Sequence, residues 1–90
     1  IRVPYTGNDK ELVLADLAKR LAEYRPNLID GVRIEFDDGW AMIRSSVTEP
    51  LFTLRFEAKT QARLKDIANI LISALPDRVK QPVLAKMPTL

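Results

Sequence analysis

The centre of the sequence contains three short runs in which apolar and polar residues alternate, and these runs constrain the fold more than any other feature. They cover residues 32–36, 40–44 and 51–58. Strict alternation directs every second side chain to the same face, so each run predicts a strand with one buried face. The connections between the runs are short, which favours antiparallel neighbours in one sheet.

Asp38-Gly39 separates the first two runs and is a preferred pair for a two-residue hairpin turn. Such a turn needs positive φ at both central positions. The connection to the third run is longer and reads RSSVTEP, from Arg44 to Pro50. Because a simple hairpin would need only two turn residues, this loop is a candidate for function.

A helix is predicted on the N-terminal side of the three runs, over residues 10–24. Asn8 or Asp9 is the expected N-cap, since a short polar side chain can accept a hydrogen bond from the free amides of the first turn. Pro26 ends the helix. Its apolar residues recur at helical spacing: Val13, Leu14, Leu17, Ala18 and Leu21.

A second helix is predicted over residues 61–75, with Thr60 as its N-cap and Pro76 at its end. Residues 1–5 alternate in the manner of a strand, and Pro4 suits an edge strand or a strand end. The apolar stripe of the second helix again has helical spacing: Leu64, Ile67, Ala68, Leu71, Ile72 and Leu75.

Residues 78–90 have little periodicity and include Pro82 and Pro88. We expect a tail that lies along the surface or is disordered. Residues 1–77 are then predicted to form one small domain, as a length of 90 residues allows. The sequence begins with Ile1 rather than Met, and we expect it to be a piece of a longer protein or a processed product.

The predicted element order is β-α-β-β-β-α, in which strands and helices do not alternate one for one. This order favours an α+β fold, with an antiparallel sheet of about four strands and two helices packed on one face. The polar side chains of the strands are expected to face solvent or a partner domain: Arg33, Glu35, Thr53, Arg55 and Glu57.

The chain lacks cysteine and histidine, which excludes several kinds of chemistry. No thiolate can serve as a nucleophile, and no imidazole can move protons near neutral pH. The net charge is only +2, and the 14 basic residues are interspersed with 12 acidic ones. Neither the basic face that duplex binding needs nor an apolar stretch of roughly 20 residues is present. We therefore expect a cytoplasmic protein that binds neither nucleic acid nor membrane.

The loop RSSVTEP offers three kinds of phosphate donor within five residues. Arg44 can pair two phosphate oxygens through its planar guanidinium. Hydroxyl donors follow at Ser45, Ser46 and Thr48, and loop amides can form a concave nest. The same residue types also make ordinary surface loops, and Glu49 counts against an anion site. On residue types alone, a plain loop is the simpler interpretation.

The stretch GWAMIRSSVTEPLFTLRFEA resembles the C-terminal domain of the α-D-phosphohexomutases, which include phosphomannomutase/phosphoglucomutase and phosphoglucosamine mutase. In that family a strand is followed by a loop of the type R-x-S-(N or G)-T-x-P and by a second strand that often ends in an acidic residue and alanine. The resemblance extends upstream through DGVRIEF and covers about residues 1–77. It implies a fold similar to the TATA-binding protein, and LRFEA favours the phosphomannomutase/phosphoglucomutase branch.

The family's loop binds the phosphate of the phosphosugar that is not transferred. Position by position, the resemblance implies that Arg44 is the guanidinium clamp and that Ser46 and Thr48 donate from their hydroxyls. Val47 would contribute its backbone amide. Valine stands where the family usually has Asn or Gly, and it offers neither a side-chain amide nor easy access to positive φ.

The resemblance also implies three further domains, which carry a phosphoserine, a magnesium-binding acidic loop and a loop that reads the sugar hydroxyls. The corresponding motifs (TASHNP, DGDxDR and GExSG types) do not occur in this sequence. We therefore expect no catalytic residues and no metal ligands here, and no activity from this chain by itself. Magnesium and a glucose 1,6-bisphosphate-type activator are implied for the full-length enzyme. The implied partners are a phosphohexose and the other three domains.

Two other functions stay open at this point. A regulatory domain that binds a small anion would use the same loop and would bind phosphate and phosphosugar equally well. A nucleic-acid-binding module would use the exposed face of the sheet. The mixed charges of that face, together with an expected lack of stacking aromatics, argue against this last function.

Overall fold

One antiparallel sheet of four strands organises the part of the chain that the computed structural model describes, residues 1–46 and 48–87. The strands are β1 (Arg2–Pro4), β2 (Val32–Phe36), β3 (Gly39–Ser45) and β4 (Leu51–Ala58), in the spatial order β1-β4-β3-β2. The helices are α1 (Lys10–Arg20), α2 (Gln61–Ser73) and α3 (Asp77–Lys86), with a short 3₁₀ helix at Ala22–Tyr24. The predicted α+β class is confirmed. In these described ranges, no helix is long and apolar enough to cross a membrane.

The helices bury one face of the sheet. The apolar residues of β2, β3 and β4 that point to this face are at most 1% exposed: Val32, Ile34, Ala41, Ile43, Phe52 and Leu54. The helices contribute Val13, Leu17, Ile67, Ala68 and Leu71, which are equally inaccessible at 2% or less. Burying each large aliphatic side chain contributes about 1.5–3 kcal/mol. A one-residue slip of any strand would move this set into solvent, so burial fixes the register.

The turn between β2 and β3 differs from the prediction by one residue. Phe36 pairs with Gly39, so Asp37 and Asp38 form the turn. Neither turn residue has positive φ, and the predicted Asp38-Gly39 turn is therefore wrong. Gly39 is required for close packing instead, because a Cβ there would lie 2.3 Å from the carbonyl oxygen of Glu57 on β4.

The predicted helix starts are correct, but only one of the two expected caps forms. Thr60 Oγ1 accepts a hydrogen bond from the Arg63 amide at 3.1 Å, as predicted. Asp9 occupies the N-cap position of α1 without a side-chain cap bond. Its carboxylate accepts hydrogen bonds from the Tyr5 hydroxyl and from Arg78 instead, so tertiary partners compete successfully for the group.

Helix α3 occupies most of the segment for which the sequence predicted a surface-lying or disordered tail. Val79 and Val83 are fully buried, and Arg78 donates to the Tyr5 hydroxyl at 3.0 Å. The sequence pattern did not indicate a helix here, because the helix has only one buried i,i+4 pair and Pro82 inside it removes a backbone hydrogen bond. Residues 88–90 of the predicted tail lie outside the described residues. The division of the chain at residue 77 stays a prediction.

The other face of the sheet carries the polar side chains of β2 and β4, as predicted from the alternation. The expectation that this face lacks aromatics is wrong, because Trp40 lies on it opposite Glu35 and Glu57. The Arg33 guanidinium lies 4.3 Å from the centre of the indole ring and covers it. One face of the ring is therefore occupied by an arginine.

Candidate functional site

The loop between β3 and β4 is closed by hydrogen bonds at its base. The Ser46 amide donates to the Leu51 carbonyl at 3.2 Å, and the Glu49 amide donates to Ser46 Oγ at 3.1 Å. The Ser46 hydroxyl thus accepts a bond within the loop, and its own hydrogen can still be donated to a further acceptor.

Two neighbouring elements hold the far side of this loop. The ammonium group of Lys10, the first residue of α1, donates to the Glu49 carbonyl at 2.8 Å. The Tyr5 amide, just after β1, donates to the Pro50 carbonyl at 2.7 Å. The loop is therefore anchored both to the sheet edge and to the start of a helix.

A cavity of about 230 Å³ opens beside the loop at this end of the sheet. It has room for several water molecules, each of which takes about 30 Å³ in the liquid, and so for a group of phosphate size. Its lining comes from three strands, the loop and the segment before β2: Arg2, Asp30, Arg44, Ser45, Ser46, Glu49, Leu51 and Thr53.

Among the described residues, Arg44 makes one weak side-chain contact in this cavity. One of its terminal nitrogens donates to Asp30 at 3.3 Å, and the two side chains are 52% and 67% exposed. Ion pairs between groups this exposed typically contribute about 0.2–1 kcal/mol. An anion with better geometry can therefore replace Asp30 as the partner of Arg44.

The structure brings together two of the four residues that the sequence singled out. Arg44 and Ser46 line the cavity. Thr48 is exposed in the loop and is not part of the described lining. Val47 lies outside the described residues, so its predicted backbone contact stays a prediction.

Sequence reasoning missed three polar residues of the lining, namely Arg2, Asp30 and Thr53. Arg2 and Thr53 reach the cavity because β1 pairs with β4, and β4 pairs with β3. Polarity and alternation placed Thr53 on the exposed face of the sheet. Only the strand order, which alternation does not reveal, places Arg2 beside it.

A wider depression of about 570 Å³ lies on the other side of the same loop. It is lined by Ser45, Ser46 and residues 7–12, which include Asp9 and Glu11 beside Lys10. The wider depression has two carboxylates and one ammonium group, whereas the smaller cavity balances two carboxylates with two guanidinium groups and so suits an anion better. Across residues 1–46 and 48–87, no group of three acidic side chains is arranged to hold a metal ion.

Comparison with known proteins shows which family this chain resembles. The family model described as "Phosphoglucomutase/phosphomannomutase, C-terminal domain" matches residues 1–74. A phosphoglucomutase of Neisseria meningitidis serogroup A is 54% identical over 71 residues, which are 77% of this chain and 15% of the relative. A phosphoglucomutase/phosphomannomutase of Thermococcus kodakarensis is 35% identical over 79 residues, 84% of this chain and 17% of the relative.

A solved structure supports the same relationship. The crystal structure of a phosphoglucomutase/phosphomannomutase family protein from Burkholderia thailandensis matches with a TM-score of 0.55 and 33% identity. The match covers 69% of this chain and 15% of that protein. The chain therefore spans only 15–17% of the length of these relatives. It belongs to the phosphoglucomutase/phosphomannomutase family, in which it corresponds to the C-terminal domain.

Proposed function

We propose that this chain binds the non-transferred phosphate of a phosphohexose and closes the active-site cleft of a phosphohexomutase. The observation that carries the proposal is the cavity in which Arg44 and Ser46 meet at the end of β3. The guanidinium offers a planar fork for two phosphate oxygens, and the serine hydroxyl offers a donor for the third. Each charge-assisted hydrogen bond contributes about 1.5–3 kcal/mol.

The contact between Arg44 and Asp30 suits this role. Asp30 gives the guanidinium a partner at 3.3 Å and limits the positions of a long side chain. Because the contact is single and exposed, phosphate can displace Asp30 at small cost. Arg44 then exchanges one weak bond for a bidentate one.

The proposed contribution to catalysis is positional. Phosphoryl transfer depends chiefly on in-line alignment and on stabilisation of charge. A phosphate held away from the reacting centre supplies binding energy that orients the sugar. Closure of this domain over the cleft would also exclude water from the reaction. Nothing in this role requires a nucleophile or a general base from the described residues.

Magnesium and the bisphosphate activator belong, in this proposal, to the rest of the enzyme. Within the described residues, no three acidic side chains converge on one point. The phosphoserine, the metal site and the sugar-reading loop would come from the three other domains of a cytoplasmic phosphohexomutase. This chain would supply the phosphate anchor.

Nuclear magnetic resonance tests the proposal directly. The nitrogen-15-labelled chain is titrated with glucose 1-phosphate, mannose 1-phosphate and unphosphorylated glucose while amide shifts are followed. An anchor worth about 4 kcal/mol gives a dissociation constant near 1 mM. We expect shifts at residues 44–48 with both phosphosugars and none with glucose. The absence of shifts with either phosphosugar at about 50 mM, well above that constant, would contradict the proposal.

Inorganic phosphate separates this function from a regulatory anion site. Once the partner domains are present, a mutase domain should favour phosphosugar over inorganic phosphate, since the sugar adds contacts from those domains. Equal affinity for the two ligands in the complete enzyme would instead favour regulation by a small anion.

A further inference from the structure

Three side chains form one row across three strands beneath the cavity. Arg2 on β1 pairs with Thr53 on β4, and Thr53 pairs in turn with Arg44 on β3. Directly paired residues of antiparallel strands point to the same face of the sheet. The two arginines therefore flank Thr53 from opposite sides, and all three residues line the cavity.

The charges that line the cavity explain why a second arginine matters. The cavity contains two acidic residues, Asp30 and Glu49, alongside Arg44 and Arg2. With Arg44 alone, the acidic residues would outnumber the basic ones, and a phosphate dianion would meet net repulsion. Arg2 brings the lining to electrical balance before any ligand arrives.

The Arg2 guanidinium is also available for a ligand. The residue is exposed, and no ion pair within the described ranges involves it. Arg33, by contrast, donates to Glu35 at 2.7 Å and covers Trp40. Among the arginines of this sheet face, Arg2 and Arg44 are the two placed at the cavity.

We infer that Arg2 is a second phosphate-positioning residue, which acts opposite Arg44 with the Thr53 hydroxyl between them. The inference rests on the proposed function and deepens it. Two guanidinium groups on opposite sides of one anion select a phosphate monoester, which is a dianion with three free oxygens. A phosphodiester has one negative charge and two free oxygens, so it gains less from the second arginine.

The test measures binding of inorganic phosphate to the nitrogen-15-labelled chain at low ionic strength. Arg2→Gln is expected to weaken binding about tenfold, the effect of losing one charge-assisted contact. Thr53→Val is expected to weaken binding severalfold. Arg55→Gln is the matched control, because Arg55 is exposed on the same face and on the same strand as Thr53 but outside the described lining. It should change affinity less than about twofold, since its charge acts only at a distance.

The second measurement is the affinity for dimethyl phosphate, a phosphodiester with one negative charge. Arg2→Gln should reduce the preference of the chain for inorganic phosphate over dimethyl phosphate, whereas Arg55→Gln should leave that preference unchanged. A merely structural role for Arg2 would not alter the preference. Amide spectra without ligand confirm that each variant keeps the fold.

The outcomes separate this inference from the proposed function. If Arg44→Gln abolishes binding while Arg2→Gln does not weaken it, the role of Arg2 is overturned and the phosphate loop stands. Equal losses in Arg2→Gln and Arg55→Gln would also overturn it, since net charge alone would then explain the effect. If Arg44→Gln leaves binding intact, the proposed function fails. If the unaltered chain does not bind phosphate, both fail.

Discussion

The two ends of the β2–β3 hairpin each carry an arginine–aspartate pair, yet the two pairs differ in almost every respect. At the turn, Arg63 binds Asp38 through two nitrogens at 2.7 and 3.3 Å, and its guanidinium lies 5.5 Å from the Phe36 ring centre. At the loop, Arg44 reaches Asp30 through one bond of 3.3 Å. The Arg63 side chain is 36% exposed, whereas that of Arg44 is 52% exposed.

The surroundings of the two pairs differ as well. A cavity of about 370 Å³ at the turn is lined by the carboxylates of Glu35, Asp37, Asp38 and Glu57, with Lys59 as the basic residue. The smaller cavity at the loop has two arginines beside its two acidic residues. The turn repels anions and already uses its arginine to hold α2 against the hairpin. The contact of Arg44 at the loop is the weaker of the two, which supports the proposed anion site at this end.

The largest expected effect is on the free energy of unfolding, and it concerns one glycine at each end of the β2–β3 hairpin. Gly31, which precedes β2 at the same end of the sheet as the β3–β4 loop, has φ +77°. A Cβ there would lie 2.1 Å from the Ile43 carbonyl oxygen. Gly31→Ala should lower the free energy of unfolding by more than about 2 kcal/mol, because it combines positive φ with a steric clash. Gly39→Ala at the turn should cost less, since it adds a clash without positive φ. Urea denaturation measures both, and a change within about 0.5 kcal/mol for Gly31→Ala would contradict the prediction.

The next prediction compares the same substitution at Arg44 and at Arg63. Arg44→Gln should weaken phosphate binding tenfold or more, from the loss of a charge-assisted contact, and leave the melting temperature nearly unchanged. Arg63→Gln should lower the melting temperature, because it removes a bidentate bond that joins α2 to the hairpin, and leave phosphate affinity unchanged. Calorimetry on both variants checks the pattern. Loss of phosphate binding in Arg63→Gln would show that the two ends are coupled.

Low pH should weaken the Arg63–Asp38 pair at the turn and so lower the free energy of unfolding. The hydrogen bond from Arg63 lowers the pKa of Asp38 below its usual value. A carboxyl whose pKa is depressed in the folded state stabilises the fold above its unfolded pKa, and this contribution is lost as pH falls through the folded pKa. Unfolding free energy should therefore fall below about pH 4, and Asp38→Asn should flatten part of that decline.

Asp9 should add to the decline in unfolding free energy at low pH. The Tyr5 hydroxyl and then Arg78 lower the pKa of Asp9, so its contribution is lost over the same acidic range. Urea denaturation between pH 2 and 6 measures both contributions. Identical pH dependence in Asp38→Asn and the unaltered chain would rule out the proposed role of the turn pair.

The smallest expected effect is an increase in phosphate affinity. Asp30→Asn should tighten phosphate binding about two- to fivefold, because it removes a negative charge that competes for Arg44 and is worth about 0.5–1 kcal/mol. A phosphate titration followed by amide shifts measures the change. Weaker binding in this variant would mean that Asp30 chiefly orients Arg44 rather than competing for it.

The sheet and its buried face could be predicted because alternation reports locally on burial. Each strand of the hairpin shows its own pattern, and Thr60 caps α2 within its own turn, so these features needed no knowledge of distant residues. Arg44 and Ser46 were singled out in another way, because they match the loop motif of the family that this stretch resembles, and their role in binding phosphate stays a prediction.

The remaining features depend on contacts between distant residues. The hairpin turn is shifted by one residue because Gly39 packs against β4, and Asp9 does not cap α1 because Tyr5 and Arg78 bind it. Arg2 reaches the cavity only through the order of the strands. Patterns within a short window of sequence contain no information on any of these partners.

The contact between α3 and the start of the chain has a consequence for how the domain is assembled. Arg78 bonds to Tyr5 and Asp9 across sequence separations of 73 and 69 residues. Such distant contacts form late, because a long stretch of chain must be ordered first. During synthesis α3 emerges after all four strands, so the bonds from Arg78 to Tyr5 and Asp9 can form only after the sheet strands are available. A ribosome-bound chain that has not yet released α3 would then hold β1 only through its pairing with β4.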